Sequence, residues 1–223
     1  RAEGLTLVNG IEAEIDADLK ADMEKRIFTL RDNTLRVNAI RMMLDGWVAL
    51  PDEGVDMDLK LASSEIQFRE ILSLIPAFYT RDFKNLKASG EMTLSAWARG
   101  RLIGDRLPAF ELALGVREGS FKYASLPQAV TGIRVTAKAA NPGGTLDRTT
   151  VEVPDFGLTM AGNALTASLS AATPISDLQF AAAANGKVDL GAVKEVYPLE
   201  DTISLAGLIT ANVQVAGRMS DVE

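Results

Sequence analysis

Asp56 and Asp58 are the residues whose type and spacing come nearest to chemistry. Two apart on a strand, they share a face with their carboxyls about 7 Å apart, a separation that permits glycosidase-like acid and base work. Such work needs one carboxyl kept protonated by burial. The pattern runs on through Lys60 without any sign of a pocket, so the pair reads as part of a solvated strand face. Glu12, Glu14, Asp16 and Asp18 supply the oxygen ligands that calcium takes, but a flat strand spreads them in a row and does not wrap them around one ion. That acidic row is better suited to keeping a long strand soluble and discouraging edge-to-edge pairing.

Most other chemistries lack their residues. The chain contains no histidine and no cysteine, which removes the commonest general base near neutral pH, the commonest zinc ligand and the thiol nucleophiles. No G-x-S-x-G, G-x-x-x-x-G-K-[ST] or G-x-G-x-x-G is present, and Gly143-Gly144 reads as a turn. Trp47 and Trp97 lie among strand residues, where an aromatic ring is a packing group before it is a ligand platform. A net charge of −7 with no local Lys/Arg cluster repels phosphate backbones and anionic membrane surfaces, so nucleic acid is not an expected partner. No enzyme, metal or cofactor is expected. The lack of cysteine fits the periplasm and the cytosol equally well.

The elements that hold these residues are mainly strands. With 223 residues, 47% of them hydrophobic, the chain is long and apolar enough to build a core and is not a disordered sequence. Ile11, Ala13, Ile15, Ala17, Leu19, Ala21 and Met23 alternate with charged residues, which predicts one strand of about 43 Å. The same period of two returns over 55–61 and 86–98, where Lys87, Ser89, Glu91, Thr93 and Ser95 face away from the apolar set. Further runs cover 110–116, 133–139, 156–160, 165–169, 178–184 and 203–215. Turn residues such as Pro51-Asp52-Glu53-Gly54, Asn141-Pro142-Gly143-Gly144 and Ala161-Gly162-Asn163 separate most of them. The predicted fold is mainly β with minor α: a long, curved, mostly antiparallel meander.

Two helices interrupt the predicted meander. Ser64 and Gln67 have capping-box spacing, and Phe68, Ile71, Leu72 and Ile75 then share one face up to Pro76, ready to pack on the apolar side of the sheet. A shorter helix begins where Asp189 can cap Leu190, Val193 and Tyr197 before Pro198. Each helix precedes a strand bracketed by glycines, Gly90 to Gly100 and Gly207 to Gly217, which predicts two repeats over 27–120 and 145–223 of a single elongated segment, 1–223. The chain starts at Arg1, without Met, inside a strand-like pattern, and is expected to be a segment of a longer protein. No apolar stretch reaches the 18 or so residues that cross a bilayer as a helix.

Several blocks in order resemble the AsmA family of bacterial envelope proteins. They are Phe28-Thr29-Leu30-Arg31-Asp32-Asn33, then 64–76 with its ending Ile71-Leu72-Ser73-Leu74-Ile75-Pro76, Lys87-Ala88-Ser89-Gly90-Glu91 and Leu107-Pro108-Ala109-Phe110. Gly119-Ser120-Phe121-Lys122-Tyr123 with Leu126-Pro127, Ala140-Asn141-Pro142-Gly143-Gly144, Gly186-Lys187-Val188-Asp189-Leu190 and Gly217-Arg218-Met219-Ser220-Asp221 follow. Order and spacing carry the resemblance, because each block alone is a short mix of turn and apolar residues. The resemblance implies a periplasmic protein of Gram-negative bacteria, held in the inner membrane by an N-terminal helix absent here, whose curved β-groove moves phospholipid towards the outer membrane.

The residues supply a physical reason for that role. Ile11, Ile15, Leu19, Leu94, Ala96, Phe180, Ile209, Ala211, Val213 and Val215 are the expected lining of an apolar groove. Small inward residues such as Ala13, Ala88 and Ala182 leave room that a tight sandwich would fill. A lipid crossing water exposes about 0.8 kcal/mol per methylene, on the order of 20 kcal/mol for two chains, and an apolar path removes most of it. The alternative is a structural or assembly-assisting scaffold for outer-membrane components, with the same faces packed on each other or on a protein.

Overall fold

The computed structural model describes residues 13–38, 40–63, 66–68, 86–124, 126–196 and 203–221. Ile11, Ile71, Leu72 and Ile75 lie outside them, and of the helix predicted over 64–75 only 66–68 are described: Ile66 and Gln67 pair with Met92 and Glu91 as a short strand, so the helix does not open at the Ser64–Gln67 capping box.

The chain runs as an antiparallel meander. It opens with β1 (Ala13–Asp16), β2 (Leu19–Asp22), β3 (Ile27–Val37), β4 (Ile40–Ala49), β5 (Val55–Ser63) and β6 (Ile66–Gln67). It continues through β7 (Leu86–Leu102), β8 (Ala109–Tyr123), β9 (Val130–Asn141), β10 (Thr150–Met160), β11 (Asn163–Ala172) and β12 (Gln179–Asp189). A helix, α1 (Leu190–Val196), and β13 (Leu208–Arg218) complete it. Among the described residues these thirteen strands form one open sheet: β1 and β2 both pair with β3, β5 and β6 both pair with β7, and every other strand pairs with its chain neighbours.

The predicted strand from Ile11 to Met23 is broken. Asn33 is buried and its side-chain oxygen accepts the backbone N–H of Asp18, so the chain leaves the ladder at Ala17–Asp18 and rejoins it as β2. Opposite the break β3 bulges, with Asp32 at φ 53° and a register shift between Leu30 and Asn33. The last predicted strand is shorter than the alternation implied, beginning at Leu208 and not at Ile203. Further register shifts lie between Ser89 and Glu91, around Gly119 and between Val153 and Phe156. Bulges bend and twist the strands that carry them, which curves the sheet.

Local chemistry ends the strands where expected. Ala161 and Gly162 both have positive φ, the two-residue geometry whose twist matches a hairpin, and they join β10 to β11. At the end of β5 the Ser63 hydroxyl accepts the Leu94 N–H at 2.8 Å and donates to the Leu94 carbonyl at 3.1 Å, holding the ladder as the chain passes to β6. Asp189 caps α1 through a 2.9 Å hydrogen bond from the Gly191 N–H. Among the described residues no helix is long and apolar enough to cross a membrane.

Burial is concentrated at one end of the strands. Ile40, Met42, Ile66, Met92, Val116, Val130 and Ile133 form the core, and Val196 of α1 inserts among them. Phe68 packs against the same cluster. The backbone N–H of Gln128, in the β8–β9 connection, donates to the Glu195 carbonyl at 3.1 Å, which ties α1 back to strands several places away in the sheet.

Candidate functional site

Residues directly opposite in an antiparallel ladder point to the same side, so the register traces each face across the sheet. Starting from Leu44 on β4, the partners run Leu61, Ala96, Leu112, Ala139, Val151, Ala171 and Phe180, one on each successive strand to β12. No polar side chain interrupts this row, which spans about 34 Å at about 4.8 Å per strand. A parallel row joins Val153, Leu169, Ala182 and Val215 on β10 to β13, and another joins Met92, Val116, Val135, Phe156, Ala167, Ala184 and Val213.

The predicted lining residues that are described share this face. Leu94 and Ala96 sit on β7, Phe180 on β12, and Ile209, Ala211, Val213 and Val215 on β13, opposite Val188, Gly186, Ala184 and Ala182. Ile15 and Leu19 occupy the same side at the far edge, opposite Leu35 and Leu30. They are not one compact cluster, since β1 and β13 stand at opposite ends of the sheet. Leu94 also differs from the rest, because it packs against the buried cluster and forms the margin between core and open face.

Away from that margin the apolar face is uncovered. Leu112 is 44% exposed, Leu169 41%, and Val213 and Val215 47% each. Leu112, Val151 and Leu169 were not singled out from the sequence, although Leu112 and Leu169 lie in runs that alternate like the rest. Their exposure depends on there being no second layer over them among the described residues, which alternation does not report.

The opposite face is charged and paired. Arg101 makes two 2.6 Å hydrogen bonds to Asp56, and Arg99 holds Asp58 at 3.0 and 3.3 Å. Glu111 meets Lys138 at 2.6 Å, and Arg134 meets Asp155 at 3.0 Å. The hydrogen bonds from Arg101 hold the Asp56 carboxyl below the usual carboxylate range, the opposite of what a general acid requires. Trp47 and Trp97 are on this face and about two-fifths exposed, so they are not core groups. Asp58 faces Trp47 and Lys60 faces Trp97 across the ladders. Among the described residues no group of acidic side chains is gathered closely enough to hold a metal ion.

Comparison with family models, with curated proteins and with solved structures finds no match.

A hollow of about 490 Å³ also lies over β10–β13, but its side chains come mostly from the paired face: Glu152, Ser168, Ser170, Ala181, Ala183 and Gln214. It exists because alanine and serine leave the strand surface low, and no buried polar group points into it. The uncovered apolar rows are the more distinctive feature. Extended exposed apolar patches are uncommon on soluble proteins, which makes this face the candidate site.

Proposed function

We propose that this chain carries membrane lipid on its apolar sheet face, as part of an AsmA-like envelope protein that moves phospholipid between the inner and outer membranes. The observation that carries the reading is the unbroken apolar row from Leu44 to Phe180, uncovered at Leu112 and Val151 in a sheet that does not close. At about 34 Å it exceeds the roughly 15 Å that one leaflet contributes to a bilayer core of about 30 Å, so an acyl chain can lie along it. Each methylene kept from water is worth about 0.8 kcal/mol, and a uniform apolar strip lets the chain slide without regaining that cost. Headgroups stay in water, so no catalytic residue is needed. The ordered blocks that resemble the AsmA family support this role, a periplasmic location and an inner-membrane anchor elsewhere in the protein.

The scaffold reading is favoured at one place, the end where Val196 and Phe68 pack on Met92 and Ile133. There the apolar face is core, and lipid is excluded. The two roles therefore divide along the strands, with packing at one end and an open face at the other.

Photo-crosslinking separates them. A benzophenone amino acid at Leu112 or Leu169, irradiated in protein purified from an envelope-containing host, should give phospholipid adducts by mass spectrometry. The same group at Ser95 or Thr136, on the opposite face, should not. Equal labelling of both faces, or no adducts at all, would overturn the proposal.

A further inference from the structure

We propose that Trp47 and Trp97 form a glycan-binding platform on the charged face of the sheet, where their rings stack on the sugars of an extended polysaccharide. The proposal is independent of what the apolar face carries. Both tryptophans project from the side opposite the apolar rows, and both remain about two-fifths exposed. The strands beneath them are regular, since β4 pairs with β5 and β5 with β7 without any register shift. Trp47 lies opposite Asp58, Asp58 lies opposite Arg99, and Trp97 precedes Arg99 by two residues on the same side. With β5 between their strands, the two residues stand on a diagonal with Cα atoms roughly 12 Å apart.

The residues between the rings decide the class of ligand. Asp58 and Lys60 of β5 fill the diagonal. A protein partner or an acyl chain calls for a contiguous apolar centre from which charges are depleted, and here charges occupy the centre. A nucleic acid stacks its bases on indoles but needs a basic track for its phosphates. Around these rings the charges cancel. Asp56, Asp58 and Glu111 pair with Arg101, Arg99 and Lys138 respectively, and exposed Lys60 lies opposite Asp45. An uncharged, polyhydroxylated chain suits such a surface. The C–H groups on one side of a pyranose ring carry slight positive charge and fit the negative face of an indole. Sugar hydroxyls both donate and accept, so they can use the N–H groups that Arg99 and Arg101 leave free and the remaining lone pairs of Asp56 and Asp58. An extended β-linked glycan is a flat ribbon, which can lie along the diagonal and reach both rings. Because the carboxylates stay held by arginine, the sugar is bound and not cleaved.

Trp47 and Trp97 are the two tryptophans of the chain, so indole fluorescence reports this site alone. Titration with the hexasaccharides of β-1,4-linked glucose and of β-1,4-linked N-acetylglucosamine should give a saturable blue shift with at least one of them. The matching disaccharide, too short to reach both rings, should bind at least about tenfold more weakly. Trp97→Ala should weaken binding at least about tenfold, read at Trp47 and by calorimetry, whereas Trp97→Tyr, which keeps a stacking face, should retain most of it. Circular dichroism checks that each variant is folded. No emission change with either hexasaccharide at millimolar concentration would overturn the proposal. Equal affinity of folded Trp97→Ala and the unmodified chain would do the same, as would an emission change produced by phospholipid vesicles and by neither sugar.

Discussion

Gly90 and Gly119 touch where β7 and β8 bend together: a β-carbon on Gly90 would stand 2.6 Å from the Cα of Gly119. Gly90 has φ 122°, and the neighbouring Glu118 has φ 50°. The ladder shifts register at this point, so the two glycines allow adjacent strands to bulge side by side. Gly90→Ala should cost about 3 kcal/mol or more, combining strain at positive φ with a backbone clash that no rotamer relieves. Gly104→Ala, where φ is 52° but the space is open, should cost about 1 kcal/mol. Urea unfolding of the two variants measures both.

A carboxylate on the open face should slow lipid movement without harming the fold. Leu112→Asp and Leu169→Asp place a charge that must keep its water in the path of an acyl chain, at a cost of several kcal/mol. Transfer of fluorescent phospholipid between vesicles by the purified protein should fall at least about tenfold, the equivalent of about 1.4 kcal/mol. Ser95→Asp and Thr136→Asp, on the paired face, should leave it unchanged. Leu94→Asp is expected to unfold the protein, because Leu94 adjoins the buried cluster.

Asn141 organises the turn after β9. Its side-chain oxygen accepts the Gly143 N–H at 2.8 Å, and its amide donates to the Thr145 carbonyl and the Thr149 hydroxyl, each at 3.0 Å. The residue is buried, so Asn141→Ala removes three bonds and strands their partners, and should cost about 2–4 kcal/mol in chemical denaturation. Asn141→Asp should be no better, since it turns a donor into an acceptor facing the Thr145 carbonyl.

Acid should loosen the loop between β11 and β12. Asp147 accepts the Ser176 N–H at 2.9 Å, the Ser176 hydroxyl at 2.7 Å and the Ile175 N–H at 3.1 Å. These bonds, led by the one from the Ser176 backbone, lower its pKa below the ordinary 3.8. A carboxyl with a depressed pKa in the folded state stabilises fully above its unfolded pKa and loses that contribution as pH falls through the folded value. Wild type should therefore melt above Asp147→Asn at neutral pH, and the two should converge below the ordinary carboxylate range. Parallel melting curves across the whole pH series would contradict this.

Much of the sheet was legible because alternation is a local signal. The β7 residues from Lys87 to Ser95 expose their polar side as read, and Asp189 caps a helix where its spacing indicated. What escaped is non-local. The break at Ala17–Asp18 depends on Asn33, distant in sequence, taking a backbone donor. The pairing of Asp56 and Asp58 with Arg101 and Arg99 depends on a register set forty residues away. Likewise, exposure of Leu112 and burial of Met92, both on the same apolar face, depend on how far α1 and Phe68 extend along the strands.

The neighbour-to-neighbour order of the meander makes this sheet extensible. From β8 to β12 each strand pairs with the one before and the one after it, and ties beyond these neighbours, such as Gln128 to Glu195 and Asp147 to Ser176, join the connections. A hairpin inserted at any turn would lengthen the sheet by about 9.6 Å, two strand spacings, without disturbing the pairing elsewhere. The length of the apolar face thus becomes a matter of counting strands, and a lineage could adjust it one duplication at a time, as repeat proteins do.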